Sequence, residues 1–323
     1  MERSGGVTVS AVIAMIGSVV SILFGVGVVL IGIAMSRTPD SPLAGGQAFP
    51  LTTVLALEGI VLLGFGVWGI ASAVGLLRLR NWARISVIVY AAMLSVICVF
   101  SMLPLLLWQF VTPLPLPAQE GVPPGMMTAA LVITIAFALA LAALSVWWLV
   151  YFNRAKIKAQ FVDGAKVIVP PRRPVTITVI AWLMMVGSLF LLVTLFGRYP
   201  AFVFGFLLEG WGGAAFYVIY GIGGLAVGIG LLRFKPLSHT LAVCYYGFGV
   251  LNAAATLLVP GSFARMQSFT QNLIQGNSAL PTALVEQYFK ILMVWALLFT
   301  SAILWILLSR RQAFIRACQS PAT

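Results

Sequence analysis

Apolar runs long enough to cross a hydrocarbon core, which takes ~18 residues or more, recur eight times along the chain. They cover roughly 8–35, 50–77, 83–107, 126–152, 175–197, 211–232, 239–260 and 287–309. None alternates with the period of two that a barrel strand requires, and irregular backbone cannot face lipid. Each run is therefore expected to be a helix. The pattern predicts an all-α polytopic membrane protein with eight transmembrane helices. The first run is too long for a secretory h-region and no A-x-A site follows it, so it reads as a retained span.

The runs form two sets of four. Gly75-Leu76-Leu77-Arg78 closes the second run, and Gly230-Leu231-Leu232-Arg233 closes the sixth, 155 positions later. At the same offset Gly66 falls on Gly221, Gly69 on Gly224, Ala71 on Ala226, Arg80 on Lys235 and Tyr90 on Tyr245. The expected organisation is a tandem repeat: a four-helix unit at 1–152, a basic linker at 153–174 and a second four-helix unit at 175–323. An even number of spans per unit inserts both the same way round. A pseudo-two-fold axis along the membrane normal is then expected to relate them, the arrangement of parallel-repeat transporters and equally of a plain duplication.

Composition agrees with the pattern. Hydrophobic residues make up 61% and charged residues 8%, with a mean hydropathy of +1.08, far from the one-quarter charged residues of a soluble domain. The net charge of +12 does not point to nucleic acid, because the basic residues sit at the ends of spans. With the N-terminus in the cytoplasm, fifteen of the nineteen Lys and Arg fall on the inner side. Arg37, Arg198, Arg265 and Lys290 fall on the outer side. This positive-inside bias predicts that both termini are cytoplasmic. Trp82, Trp147, Trp148, Tyr151, Trp211 and Tyr288 lie near the predicted interfaces as aromatic anchors.

Three connections are long. Residues 153–174 carry six basic residues against Asp163 and end Pro170-Pro171-Arg172-Arg173-Pro174, which stiffens the chain before the fifth span. Residues 108–125 hold five prolines and predict an extended outer cap. Residues 261–286 space Phe263, Met266, Phe269 and Leu273 at helical intervals, which predicts an amphipathic helix on the outer surface. The two outer segments occupy the same place in each unit and differ most, so they are expected to carry what is specific to the protein.

Chemistry-bearing residues are sparse. Glu58 alone among the seven acids lies well inside a run, ~12 Å along the helix from Pro50. A charge at the bilayer centre costs about 2.5–3.5 kcal/mol on insertion scales, and less toward the interface. Leu57-Glu58-Gly59 recurs as Leu208-Glu209-Gly210, with Glu209 one turn further out. Two readings stand: a proton- or cation-binding pair of carboxylates in a cavity between the units, or two helix-start acids favoured by the helix dipole. On the inner side Arg78, Arg80, Trp82 and Arg84, with Arg233, Lys235 and His239, are candidate contacts for anionic lipid. Topology determination alone would place the same residues there.

Other motifs lose their chemical reading in context. Gly64-Phe65-Gly66-Val67-Trp68-Gly69 spells G-x-G-x-x-G but follows no strand. Close helix packing explains it, as it explains Gly224-x-x-x-Gly228. Cys98, Cys244 and Cys318 form no CxxC, and a single histidine, His239, excludes a multi-histidine metal site or a haem pair. No metal site and no cofactor are expected.

The run Gly75-Leu-Leu-Arg-Leu-Arg-Asn-Trp-Ala-Arg84, with the opening Arg173-Pro174-Val175-Thr176-Ile177-Thr178-Val179-Ile180-Ala181, resembles uncharacterised bacterial integral membrane proteins. Those proteins often carry a similar GLxRLxxWAR turn between the second and third helices of a four-helix unit. The resemblance implies the fold and no activity. The second unit departs from it, with Phe234, Pro236 and Leu237 where Leu79, Asn81 and Trp82 stand.

The functional expectation is a non-catalytic structural or interaction component that contacts membrane lipids and either a protein partner or further copies of itself. The alternative is a small-solute or ion transporter with its path between the units, using Glu58 and Glu209. A lipid-modifying enzyme would need a cluster of polar groups at one depth, and none is visible in the sequence.

Overall fold

The computed structural model describes residues 4–36, 51–111, 124–161, 175–193, 200–265, 268 and 282–319. Helices α1 (Gly5–Ser36), α2 (Leu51–Leu77), α3 (Asn81–Val111) and α4 (Pro124–Asn153) make the first half, closed by the short α5 (Ala155–Gln160). Helices α6 (Val175–Val193), α7 (Gly210–Leu232), α8 (Pro236–Leu258) and α9 (Thr282–Ser309) make the second, closed by α10 (Arg311–Gln319). All but α5 and α10 are long and apolar enough to cross a membrane. The chain is a polytopic membrane protein, and its eight long helices fall on the eight predicted runs.

Each half is assembled in the same way. α1 lies along α2, α3 along α4, and α2 and α3 form a hairpin; α6 lies along α7, α8 along α9, and α7 and α8 form a hairpin. Lipid tails are as apolar as leucine, so helices associate in a bilayer by close packing rather than by escape from solvent. Small residues permit that approach. A Cβ on Gly69 would strike the Ser18 hydroxyl, and one on Gly224 the Ser188 hydroxyl. The G-x-G-x-x-G run is thus a packing surface: Gly66 and Gly69 both face α1, while Gly64 faces open space.

The turns between α2 and α3 and between α7 and α8 have one geometry. The Leu79 N–H donates to the Leu76 carbonyl at 2.9 Å and the Arg80 N–H to the Gly75 carbonyl at 3.0 Å. Positions 155 further on, Phe234 donates to Leu231 at 3.1 Å and Lys235 to Gly230 at 3.0 Å. This bond pair defines a Schellman cap, which ordinarily places glycine in the left-handed position. Here Leu79 and Phe234 both occupy it, each with φ of 52°, at a steric cost of ~1–2 kcal/mol. The compensation is burial. Leu79 packs against the first core and Phe234 against the second.

Those cores are built from matching positions. The first gathers Val7, Ala11, Leu76, Phe152 and Phe161; the second gathers Ile177, Ala181, Leu231, Leu307 and Phe314. Phe161 and Ile157 belong to the segment read from sequence as linker, which therefore starts with a helix folded back into the first half. An apolar pair beside the last turn of α4 outweighs the local charge of Arg154, Lys156 and Lys158. Residues 162–174 lie outside the described residues, as do 112–123 and 269–281 of the two outer segments. Residues 262–265 form a helical turn at the start of the predicted amphipathic segment.

One element departs from the all-α expectation. Strands β1 (Ala201–Val203) and β2 (Phe206–Leu208) pair antiparallel between α6 and α7. Their two-residue turn, Phe204-Gly205, has φ of 51° and 81°, the twist that suits a tight hairpin. Asn252 on α8 holds it: its Oδ1 accepts from the Phe204 N–H at 2.6 Å and its Nδ2 donates to the Phe202 carbonyl at 3.1 Å. Arg265 donates to the Gly205 carbonyl at 2.7 Å and lies over the Phe206 ring.

The halves meet chiefly through α3, which packs against α6 and α9, with Trp68 of α2 also stacked on Trp182 of α6. A two-fold axis would require α8 to pack in the same way against α1 and α4, and among the described residues it makes no comparable contact. The described contacts between the halves are thus one-sided and do not display the pseudo-two-fold relation expected from the sequence.

Candidate functional site

The sequence-selected residues fall into three places. Glu58 is on α2, seven positions after the helix starts at Leu51, and it is exposed. Glu209 is the N-cap residue of α7, also exposed, and its side chain makes no cap hydrogen bond. The two carboxylates sit on α2 and α7, helices that do not pack substantially on each other. The helix-start position expected of such acids is realised at Glu209.

The inner basic set divides by burial. Arg78, Arg80, Trp82, Arg233 and Lys235 are exposed at the hairpin turns between spans. Arg84 and His239 are not, and their selection as lipid contacts is corrected. Arg84 is buried and donates from Nη1 to the Phe152 carbonyl at 3.1 Å and from Nε to Asn81 Oδ1 at 3.1 Å. His239 is buried and bonds through Nε2 to the Leu307 carbonyl at 3.1 Å; a carbonyl only accepts, so Nε2 carries the proton. The physical reason is the helix end. The last carbonyls of α4 and α9 lack intrahelical donors and carry partial negative charge that a nearby cation or N–H stabilises. Both pairs span the same distance in sequence and are offset by the same 155 positions.

Several other buried or half-buried serines also join helices. Ser72 and Ser86 bridge α2 and α3 at 2.6 Å, and Ser95 and Ser145 bridge α3 and α4 at 2.7 Å. The Ser21 hydroxyl donates to the Leu62 carbonyl across α1 and α2 at 3.0 Å. Sequence reasoning passed over these serines, since a lone serine in an apolar run carries no partner signal. Among the described residues no three His, Cys, Asp or Glu side chains gather as a metal site.

A groove of about 240 Å³ lies between the halves, where Phe65 and Trp68 of α2 face Trp182 and Phe190 of α6. Trp68 and Trp182 stack with centroids 5.7 Å apart. Its walls are wholly apolar, and neither Glu58 nor Glu209 lines it.

No protein-family model matches the chain, and comparisons with curated proteins and with solved structures return no match.

Proposed function

We propose that this protein is a non-catalytic structural or interaction component of a bacterial inner membrane, built as a tandem duplication of a four-helix unit, with both termini in the cytoplasm. The observation that carries this reading is how the buried polar groups are used. Arg84, His239, Ser72, Ser86, Ser95, Ser145 and Asn252 each bond a neighbouring helix or the hairpin, so their hydrogen-bonding capacity holds the scaffold together. The matched bonds at Arg84 and His239, and the matched left-handed Leu79 and Phe234, support the duplication. The GLxRLxxWAR-like turn, in which Gly75 packs against Ala83 and Trp82, supports a kinship with other bacterial proteins carrying that turn.

On this reading the outer end of the second unit is the presenting surface. The hairpin exposes Phe206, and Trp211 at the start of α7 is almost fully exposed; exposed aromatic residues at a span end suit the membrane interface or a partner's surface. The exposed Arg78, Arg80, Trp82, Arg233 and Lys235 contact anionic lipid at the other end.

Purification of the tagged protein from its native membrane in mild detergent, with mass spectrometry of co-purifying proteins, tests the reading. A stoichiometric partner that is lost from Phe206→Ala or Trp211→Ala protein is the expected result. A solute or proton flux in reconstituted vesicles that falls on Glu58→Gln would replace this reading with transport.

A further inference from the structure

Four polar side chains scattered along the first unit's sequence are brought to one level by the fold. Ser10 and Ser86 each lie five positions after the starts of α1 and α3, at Gly5 and Asn81. Ser72 and Trp148 each lie five before the ends of α2 and α4, at Leu77 and Asn153. Consecutive spans run in opposite directions, so these four ends share one side of the bundle and the four side chains sit ~7.5 Å in from it. All are buried: Ser10 is 0%, Ser72 4%, Ser86 9% and Trp148 3% exposed. Trp148, expected from the sequence as an interfacial anchor, is therefore turned into the bundle.

Two of the four are satisfied and two are not. The Ser72 hydroxyl donates to the Trp68 carbonyl at 2.9 Å, which leaves the Ser86 hydroxyl to donate to Ser72 at 2.6 Å. Ser10 Oγ and Trp148 Nε1 have no hydrogen-bond partner among the described residues. Register places these two together. On the α1–α4 seam a Cβ on Gly6 would strike the Tyr151 hydroxyl, and Ser4 Oγ bonds that hydroxyl at 2.9 Å. Ser10 is one turn past Gly6 and Trp148 about one turn before Tyr151, so in antiparallel helices they form the next contact along the seam.

The second unit has no such layer. Val7 and Ala11 of the first core match Ile177 and Ala181 of the second, which sets Ile180 at the place of Ser10. At the offset of 155, Val227, Leu241 and Ile303 stand where Ser72, Ser86 and Trp148 stand in the first unit. Ile180, Val227 and Ile303 belong to one buried apolar cluster, so the same level is closed there by packing alone.

We infer that Ser10 and Trp148 hold an internal water molecule between α1 and α4. Buried polar groups in native proteins are almost always hydrogen-bonded, and ordered water is the usual partner where the protein supplies none. The chemistry of the pair selects the ligand. An indole N–H only donates and requires an acceptor, while a hydroxyl both donates and accepts. Neither group carries a charge that would hold an ion, and a hydrocarbon would satisfy neither. Water is small, donates and accepts, and bonds both at once. The α1–α4 seam is thus closed through a polar bridge in the first unit, where the second unit relies on a dry isoleucine contact.

Nuclear Overhauser transfer from water to the indole N–H protons of the full chain in lipid nanodiscs tests the site, with the Trp148 signal assigned by its loss in Trp148→Phe. The expected result is transfer to the Trp148 proton in the wild type and its loss in Ser10→Ile, which installs the second unit's residue. Ser10→Ala serves the same purpose should the larger side chain prevent folding. In unfolding measurements Ser10→Ala and Trp148→Phe are expected to be coupled, by at least about threefold in the unfolding constant beyond the product of their separate effects. Absence of transfer to Trp148 in the wild type, or transfer undiminished in Ser10→Ala, overturns the water site. Additive unfolding effects overturn the bridge between the two residues. The site stands on Ser10 and Trp148 alone, so none of these results bears on the duplication of the units.

Discussion

The guanidinium of Arg84, at the start of the third helix, donates to the backbone oxygen of Phe152 at the end of the fourth, 3.1 Å away. That bond anchors a buried cation without a carboxylate, relying on the negative end of α4. Arg84→Ala is expected to lose a charge-assisted hydrogen bond worth ~1.5–3 kcal/mol and to lower the melting temperature in detergent. His239→Arg, which installs the first unit's residue at the second unit's position, is expected to remain within about 1 kcal/mol of wild type.

Glycine replacements separate packing from propensity. Gly69→Ala drives a methyl into the Ser18 hydroxyl and is expected to cost ~1–3 kcal/mol. Gly64→Ala meets nothing within 4 Å and is expected to be neutral or slightly stabilising, since alanine is the better helix former. Thermal unfolding of the two variants in one detergent measures the difference. Equal destabilisation would remove the close α1–α2 packing from the account.

Asn252→Ala removes both side-chain bonds to the hairpin. The expected result is local: faster hydrogen exchange at 200–208 with the helices unchanged. Loss of such a partner costs about 1–3 kcal/mol, enough to raise local opening roughly five- to 150-fold. Unchanged exchange would mean that the strands hold themselves.

Cysteine chemistry reports on the closing helix of the second unit. The Cys318 thiol donates to the Phe234 carbonyl at 2.9 Å, and burial pushes its pKa up from the ordinary range. The thiolate is the reactive form, so a raised pKa lowers its fraction at neutral pH. With Cys98 and Cys244 replaced by alanine, maleimide labelling of Cys318 is expected to be several-fold slower than that of a free thiol at pH 7. The rate should keep climbing to higher pH than that of a free thiol, and denaturation should restore ordinary behaviour.

The eight spans were legible because a bilayer demands unbroken apolar length, a property each run displays by itself. The hairpin was not. Residues 201–208 fall between the fifth and sixth predicted runs, and what holds them as a hairpin is Asn252, about fifty positions away. Arg84 and His239 misled for a related reason: a basic residue just inside a span looks the same in sequence whether it turns outward to headgroups or inward to an orphan carbonyl. The repeat offset relates them, yet burial alone tells which way they point. The two-fold expectation is not displayed in the described contacts because counting spans fixes direction and says nothing of which helix faces meet.

Folding α5 back onto α4 has a consequence for how the protein is made. Every buried member of the first core, from Val7 to Phe161, precedes α6 in the chain. The leading half thus holds all it needs to close while the ribosome is still translating the trailing half. The later helices then arrive at a finished wall, with α3 as their docking element, and biogenesis proceeds from the N-terminus in two acts instead of one collapse.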